Sequence, residues 1–94
     1  MANFRGEAVF YIFSKHAEEE LRRREIPEDL AISVLLHPEQ IVDGYNGTKV
    51  FQSCVVFPNR RLYLLRIVVN VKASPILIIT AYKTTQLKKY WGLR

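Results

Sequence analysis

The sequence predicts an α+β domain in which two N-terminal helices pack on one face of an antiparallel meander sheet, with the element order β-α-α-β-β-β-β. Helix signals are confined to residues 14–37, alternating apolar patterns run from residue 41 to residue 84, and turn signals divide that run into strands. Strands joined by tight turns pair as neighbours, and the helices cover the apolar face that results. At 94 residues the chain is expected to form a single domain over 1–94.

The first strand and the first helix meet at Ser14. Val9–Phe13 is an aromatic and β-branched run, and Ser14 then offers an N-cap hydroxyl. Glutamates in the first turns and arginines in the last complement the helix macrodipole, and pairs such as Glu20 with Arg24 add roughly 0.2–0.5 kcal/mol each. Because the apolar stripe of this helix is thin, Arg24 is expected to point toward the body of the protein.

Proline and turn residues mark the remaining elements. Pro27 suits the first turn of a second helix, which must end before Pro38. The tetrapeptide 45–48 (Tyr-Asn-Gly-Thr) is typical of a type I′ hairpin, and residues 58–60 and 72–75 predict two further turns. The four strands between these signals are predicted at about 41–45, 48–57, 61–71 and 76–84. The ends, 1–6 and 88–94, lack such signals and are expected to be loosely held.

Charge divides the chain into two unequal halves. All nine carboxylates lie at or before Asp43, whereas residues 44–94 carry nine Lys and Arg and no acid. The first half therefore has a formal charge of −4 and the second half +9, which gives the net +5. A half of the chain in which every charge is positive favours an anionic partner, or an acidic protein that covers it.

Composition also bounds the compartment and the chemistry. The chain has one cysteine, Cys54, and no secretory signal or apolar run long enough to span a membrane, so a cytoplasmic location without membrane contact is expected. Two histidines and one cysteine do not make a zinc site, and no glycine-rich phosphate loop is present. We therefore expect neither a metal nor a cofactor.

Arg66 is the least readily explained residue of the predicted sheet. Alternation in its strand places it on one face with Leu64 and Val68, between aliphatic side chains. An arginine in that position must pair with a carboxylate, extend to an edge or line a wet cleft, because burial without a partner costs several kcal/mol. Carboxylates are missing from residues 44–94, which leaves few partners for the first arrangement.

Three stretches resemble a small branch of the RelE-like toxin ribonucleases: "FSKHAEEELRRREI", "LYLLRIVV" and "IITAYKT". The resemblance covers residues 10–91 and implies a compact microbial ribonuclease fold. It also implies that the protein is the toxin of a toxin–antitoxin pair, that it cuts RNA without a metal ion, and that an acidic antitoxin keeps it silent. Members of that superfamily use scattered His, Arg, Lys, Tyr and Thr side chains for the reaction.

The chemistry assigns roles to those residue types. RNA cleavage needs a base for the ribose 2′-OH, an acid for the leaving 5′ oxygen and cations for the transition-state charge. We assign His16 as general acid/base, Arg66 as phosphate clamp, and Tyr82 as second acid/base or base-stacking platform. The auxiliary phosphate or orienting groups are Arg24, Lys83 and Thr84.

Each assignment has a structural alternative. His16 can be a surface histidine, Arg24 can pair with Glu20 or Glu28, and Tyr82 can be an ordinary strand aromatic. The tail places Lys88 and Lys89 beside Trp91, a pattern that suits single-stranded RNA, an anchor on the sheet, or an antitoxin interface.

Two functions follow from these alternatives. The domain is either an endoribonuclease toxin or a non-catalytic module of the same fold that binds RNA or protein. The exposed edges of so small a sheet could also pair two copies into a homodimer or accept an antitoxin strand.

Overall fold

The computed structural model describes residues 2–4 and 9–91, with side chains from residue 11 onward. This part of the chain folds into one mixed sheet with two helices on one face and a short third helix on the other. The strands are β1 Ala2–Phe4, β2 Val9–Phe13, β3 Gln40–Asp43, β4 Lys49–Val56, β5 Leu62–Asn70 and β6 Ile76–Thr84, and the helices are α1 Lys15–Arg23, α2 Glu28–Leu36 and α3 Leu87–Tyr90. The prediction of an α+β domain is confirmed.

The order of the strands in the sheet is β1-β2-β6-β5-β4-β3. Strands β3 to β6 form the predicted antiparallel meander, but β2 pairs in parallel with the start of β6, where Tyr11 lies opposite Ile76 and Phe13 opposite Ile78. The expectation of a purely antiparallel sheet is therefore wrong. Tight turns specify which later strands are neighbours, whereas the partner of β2 is set by long-range packing after two intervening helices.

The N-terminal residues add a strand that the sequence signals did not predict. Ala2–Phe4 pairs antiparallel with β2, so the expectation of a loosely held end is wrong for these three residues. At the other end, α3 occupies Leu87–Tyr90 and replaces the expected loose segment there. Residues 1, 5, 6 and 92–94 of the two predicted loose ends lie outside the described residues.

Helix α1 has a defined hydrogen-bonded cap at each end. The Ser14 hydroxyl accepts a hydrogen bond from the Ala17 N–H at 2.9 Å, which confirms the predicted N-cap. At the C-terminus the Ile26 N–H bonds to the Leu21 carbonyl at 2.8 Å and the Glu25 N–H to the Arg22 carbonyl at 3.2 Å. These two bonds are the Schellman motif, which satisfies the last carbonyls of the helix.

The core lies between the helices and one face of the sheet. Leu21, Val34, Leu65, Ile67 and Ile78 are buried in a single cluster, and alternation along β5 sends Leu64, Arg66 and Val68 to the opposite face. Helix α2 ends at Leu36 before Pro38, as predicted. Asn46 and Gly47 both have positive φ, 55° and 79°, which confirms the type I′ geometry of the turn between β3 and β4.

Candidate functional site

An open cleft lies where the C-terminal end of β6 meets the C-terminal end of α1 and the start of β5. Its volume is about 850 Å³. The lining side chains include four cations, Arg23, Arg24, Arg61 and Lys83, together with Glu25, Tyr63, Tyr82, Thr84 and Thr85. Four positive charges around one small opening make it an attractive site for an anion.

Two of the cations are held in place by the backbone of the opposite element. The Lys83 Nζ donates to the Arg24 carbonyl at 2.5 Å, and the Arg24 Nη1 donates to the Ala81 carbonyl at 2.8 Å. On β6, strand β2 pairs with residues 76–78. The backbone carbonyls along the rest of that edge of β6 are therefore available to side chains. The reciprocal bonds join α1 to that edge and give the base of the cleft a defined shape.

Glu20 anchors the arginines of the same helix end. Its buried carboxylate pairs with Arg24 Nε at 2.7 Å and also with Arg23. Burial by itself would raise the pKa of Glu20, but the hydrogen bond from Arg23 and the charges of Arg23, Arg24 and His16 outweigh it and lower this pKa. The predicted pair of Glu20 with Arg24 is confirmed, and Arg24 points inward as expected.

An aromatic wall closes the other side of the cleft. The Phe57 and Tyr63 rings meet edge to face at 5.0 Å, and Lys83 Nζ lies 5.3 Å and 5.5 Å from their centroids. The Arg61 guanidinium lies 5.7 Å from the Tyr63 ring, and the Asn59 amide donates to the Tyr63 hydroxyl at 3.1 Å. An aromatic ring flanked by cations is the arrangement that stacks an unpaired base beside a bound phosphate.

Behind the cleft, a row of polar side chains crosses the sheet on the face opposite α1 and α2. Gln40, Gln52, Arg66 and Tyr82 lie directly opposite one another on β3, β4, β5 and β6. Arg66 Nε donates to Gln52 Oε1 at 2.7 Å, and Arg66 Nη1 donates to the Tyr82 hydroxyl at 2.5 Å. Gln52 in turn donates to Gln40 Oε1 at 2.7 Å. The row therefore fixes Tyr82 at the rim of the cleft.

Helix α3 covers the middle of this row. The Arg66 guanidinium lies 4.4 Å from the Tyr90 ring centroid, and Gln52 Nε2 donates to the Tyr90 carbonyl at 3.2 Å. Arg66 is only 9% exposed, and its partners in the described part of the chain are amide and phenol groups rather than carboxylates. The charge is therefore accommodated by contact with an aromatic face, an arrangement that was not among those predicted from the sequence.

The structure brings together some of the predicted site residues. Arg24, Tyr82, Lys83 and Thr84 line the cleft, and Arg66 binds Tyr82 from behind. Arg66 is enclosed by the polar row, so the described fold does not present it as an open phosphate clamp.

The other predicted residues lie apart from the cleft. His16 is exposed on α1, which packs against the core face of the sheet, whereas Arg66 lies on the opposite face. Lys88 and Lys89 are exposed on α3, with Lys89 Nζ 5.2 Å from the Tyr90 ring, and Trp91 is half-buried just after that helix. His16, Arg66 and Tyr82 do not line one common cleft.

Several residues of the site were missed by the sequence analysis. Alternation alone places Arg61 on the face of Tyr63 and Leu65, a signal that could have located the aromatic wall. The partnership of Gln52 with Arg66 depends on the strand register, and the position of Tyr90 depends on how α3 folds back. Neither has a local sequence signature.

The described residues show neither a cluster of metal ligands nor a membrane-spanning helix. Within residues 2–4 and 9–91, no three His, Cys, Asp or Glu side chains are grouped so that they could hold a metal ion. No helix in the same ranges is long and apolar enough to cross a membrane.

The fold and the cleft define a class of protein: a small α+β domain with a mixed sheet and a basic, aromatic-walled cleft at the end of its central strands. The chain belongs to the family described as Domain of unknown function (DUF4258), whose model matches residues 13–83. The match includes α1, the aromatic wall and Lys83, and it ends before α3. Comparison with curated proteins and with solved structures found no match.

Proposed function

We propose that this domain acts on RNA, and that the backbone phosphates bind in the basic cleft. The observation that carries the proposal is the convergence of Arg23, Arg24, Arg61 and Lys83 on one opening beside the Tyr63 ring. Arginine and lysine hold phosphate oxygens, and an aromatic ring stacks an unpaired base, so the pairing suits single-stranded RNA.

The proposed activity is endoribonuclease cleavage, as in the toxin of a toxin–antitoxin pair. Tyr82 supports this assignment, because its oxygen accepts a hydrogen bond from Arg66 and its own proton is left to be donated elsewhere. Tyr82 also lines the cleft. In this proposal its hydroxyl gives that proton to the leaving 5′ oxygen of a bound phosphodiester. In this proposal Arg66 positions Tyr82, and the cleft cations take over the role of phosphate clamp.

The relation to the RelE-like ribonucleases is part of the same proposal. The two N-terminal helices on one sheet face and the antiparallel run from β3 to β6 are compatible with that fold. An acidic antitoxin is the proposed partner, since an acidic segment would neutralise the four cleft cations and block access to Tyr82.

A non-catalytic RNA-binding module is the second candidate. The separation of His16 from Arg66 and the burial of Arg66 favour it, because they leave two of the three predicted catalytic residues out of the cleft. This module would use the same cleft cations and would release RNA uncut.

Binding of a single-stranded RNA oligonucleotide at several salt concentrations tests the cleft. Each phosphate contact contributes about −0.7 to the slope of log K against log salt, so Arg61→Ala should weaken binding and reduce the slope by about that amount. Lys72→Ala is the matched control, since Lys72 is an exposed lysine of the turn between β5 and β6 and lies outside the cleft. Equal effects of the two substitutions would overturn the cleft as the phosphate site.

Cleavage is tested with the same oligonucleotide. The endoribonuclease proposal predicts cut RNA from the wild-type chain and much slower cutting by Tyr82→Phe, which lacks the phenolic proton but retains the ring. Induced expression in cells provides a second readout, with growth arrest by the wild type and not by Tyr82→Phe. Binding without any cut product would leave the non-catalytic module as the function.

A further inference from the structure

Glu25 brings a carboxylate into a cleft that is otherwise basic. It lies next to Arg24 in the chain and lines the cleft together with Tyr82 and Lys83. It also lines a smaller adjoining cavity of about 390 Å³ with Phe57 and Lys83. A carboxylate weakens phosphate binding by like-charge repulsion, so a surface selected only for binding RNA would not favour one here.

The backbone at Glu25 has the conformation in which glycine is favoured. Glu25 occupies the position after the α1 C-cap in the Schellman motif, and its φ is 56°. Glycine is the usual residue there because it has no Cβ, whereas glutamate rarely adopts left-handed backbone. Strained backbone conformations occur preferentially at active sites, where the side chain has a function that offsets the strain.

The two acids at this end of α1 differ in how they are engaged. Glu20 is buried, and its Oε1 atom is paired with both Arg23 and Arg24. Glu25 is exposed, and the ion pairs found among the described residues do not include it. Its carboxylate is therefore free to accept a proton from a molecule bound in the cleft.

We propose that Glu25 is the general base that activates the ribose 2′-OH of RNA bound in the cleft. The proposal rests on the endoribonuclease activity proposed above and names the residue that starts the reaction. The substrate class follows from the chemistry: a ribonucleotide chain with a free 2′-OH next to the scissile phosphate. DNA would bind the same cations and remain uncut.

The step balances with Tyr82 as its partner. The Glu25 carboxylate takes the 2′-OH proton, and the 2′ oxygen forms a bond to phosphorus as the bond from phosphorus to the 5′ oxygen breaks. The leaving 5′ oxygen takes the Tyr82 proton, and the cleft cations stabilise the charge on the phosphoryl oxygens. The products are a 2′,3′-cyclic phosphate and a 5′-hydroxyl, and proton exchange with water restores both side chains.

The test compares Glu25→Gln with wild type in binding and in cleavage of one RNA oligonucleotide. Loss of a general base lowers the cleavage rate by about 10²–10⁴-fold, while RNA affinity should be unchanged or higher because one negative charge is removed. Glu19→Gln is the matched control, since Glu19 is an exposed carboxylate of α1 that does not line the cleft. An oligonucleotide with a single 2′-deoxyribose at the cleavage position should bind equally well and resist cutting.

A second variant separates the role of the side chain from the stability of the fold. Glu25→Gly relieves the left-handed backbone, so it should raise the Tm by a few degrees and still abolish cutting. Cutting at the wild-type rate by Glu25→Gln, or a lower Tm together with slow cutting by Glu25→Gly, would overturn the role of Glu25. RNA binding by the wild-type chain without cyclic phosphate product would instead overturn the proposed cleavage itself, and the general base with it.

Discussion

Replacing Arg66 with methionine tests whether the buried guanidinium stabilises the sheet. Methionine keeps most of the apolar stem and removes the charge and its donors. Two hydrogen bonds are lost, to Gln52 and Tyr82, and bonds that involve a charged group contribute about 1.5–3 kcal/mol each. The contact with Tyr90 at 4.4 Å adds about 1–2 kcal/mol at a desolvated site.

The opposing term is the desolvation of the ion. Removing the charge also removes the cost of burying it, which is several kcal/mol, so most of the lost stabilisation is offset. The net expectation for Arg66→Met is a free energy of unfolding lower by about 2 kcal/mol, which corresponds to a Tm lower by roughly 8–16 °C in a domain of this size. Arg66→Lys should lose about as much, because an ammonium cannot reproduce the planar donors that reach both neighbours.

Urea unfolding followed by circular dichroism measures the effect, with an unchanged m value as the sign that the folded state is intact. Lys72→Met is the control, since it replaces an exposed cation and should change stability by less than about 0.5 kcal/mol. Stability of Arg66→Met equal to or above that of wild type would refute the reasoning. It would show that the buried guanidinium lowers the free energy of unfolding, as expected for a group that is present to bind a ligand.

Three further predictions concern Glu20, Tyr63 and Ser14. Because the fold lowers the pKa of Glu20, its ionised carboxylate stabilises the folded state above the ordinary pKa of 4.5, and this stabilisation is lost as the pH falls through the lowered pKa. In urea titrations, the free energy of unfolding should therefore fall less steeply toward acid pH for Glu20→Gln than for wild type. Tyr63→Leu should weaken binding of single-stranded RNA by about 1–3 kcal/mol, with Tyr63→Phe close to wild type; equal losses in both would exclude stacking. Ser14→Ala should lower the free energy of unfolding by about 0.5–2 kcal/mol, measured against Ser33→Ala on the exposed face of α2.

Local signals in the sequence predicted the elements well. Ser14 begins α1, Pro38 follows the end of α2, and the tetrapeptide at 45–48 forms its turn, because each depends on neighbouring residues alone. The strand from 76 to 84 was predicted with the observed bounds. Pairing between distant segments was not predictable in this way, so β1 and the parallel contact of β2 with β6 were missed.

The residues of the candidate site were likewise predicted only in part. Residue type and charge singled out Arg24, Lys83 and Tyr82, which do line the cleft. Lys83 and Tyr82 are conspicuous in an apolar strand, and Arg24 lies on the thin apolar stripe of α1. Arg61 and Tyr63 were missed because their role depends on the approach of α1 to the start of β5. Glu25 was missed because its significance depends on a backbone conformation and on a cleft formed by three elements.

The sequence by itself determined the first two helices, the later strands and the basic character of the second half of the chain. Only the tertiary structure decided where the positive charge collects and which arginine is buried. The physical reason is that periodicity and capping act over a few residues, whereas the register of β4, β5 and β6 decides that Arg66 faces Gln52 and Tyr82. That register, together with the return of α3, which places Tyr90 over Arg66, makes a charged strand residue the support of Tyr82 at the rim of the cleft.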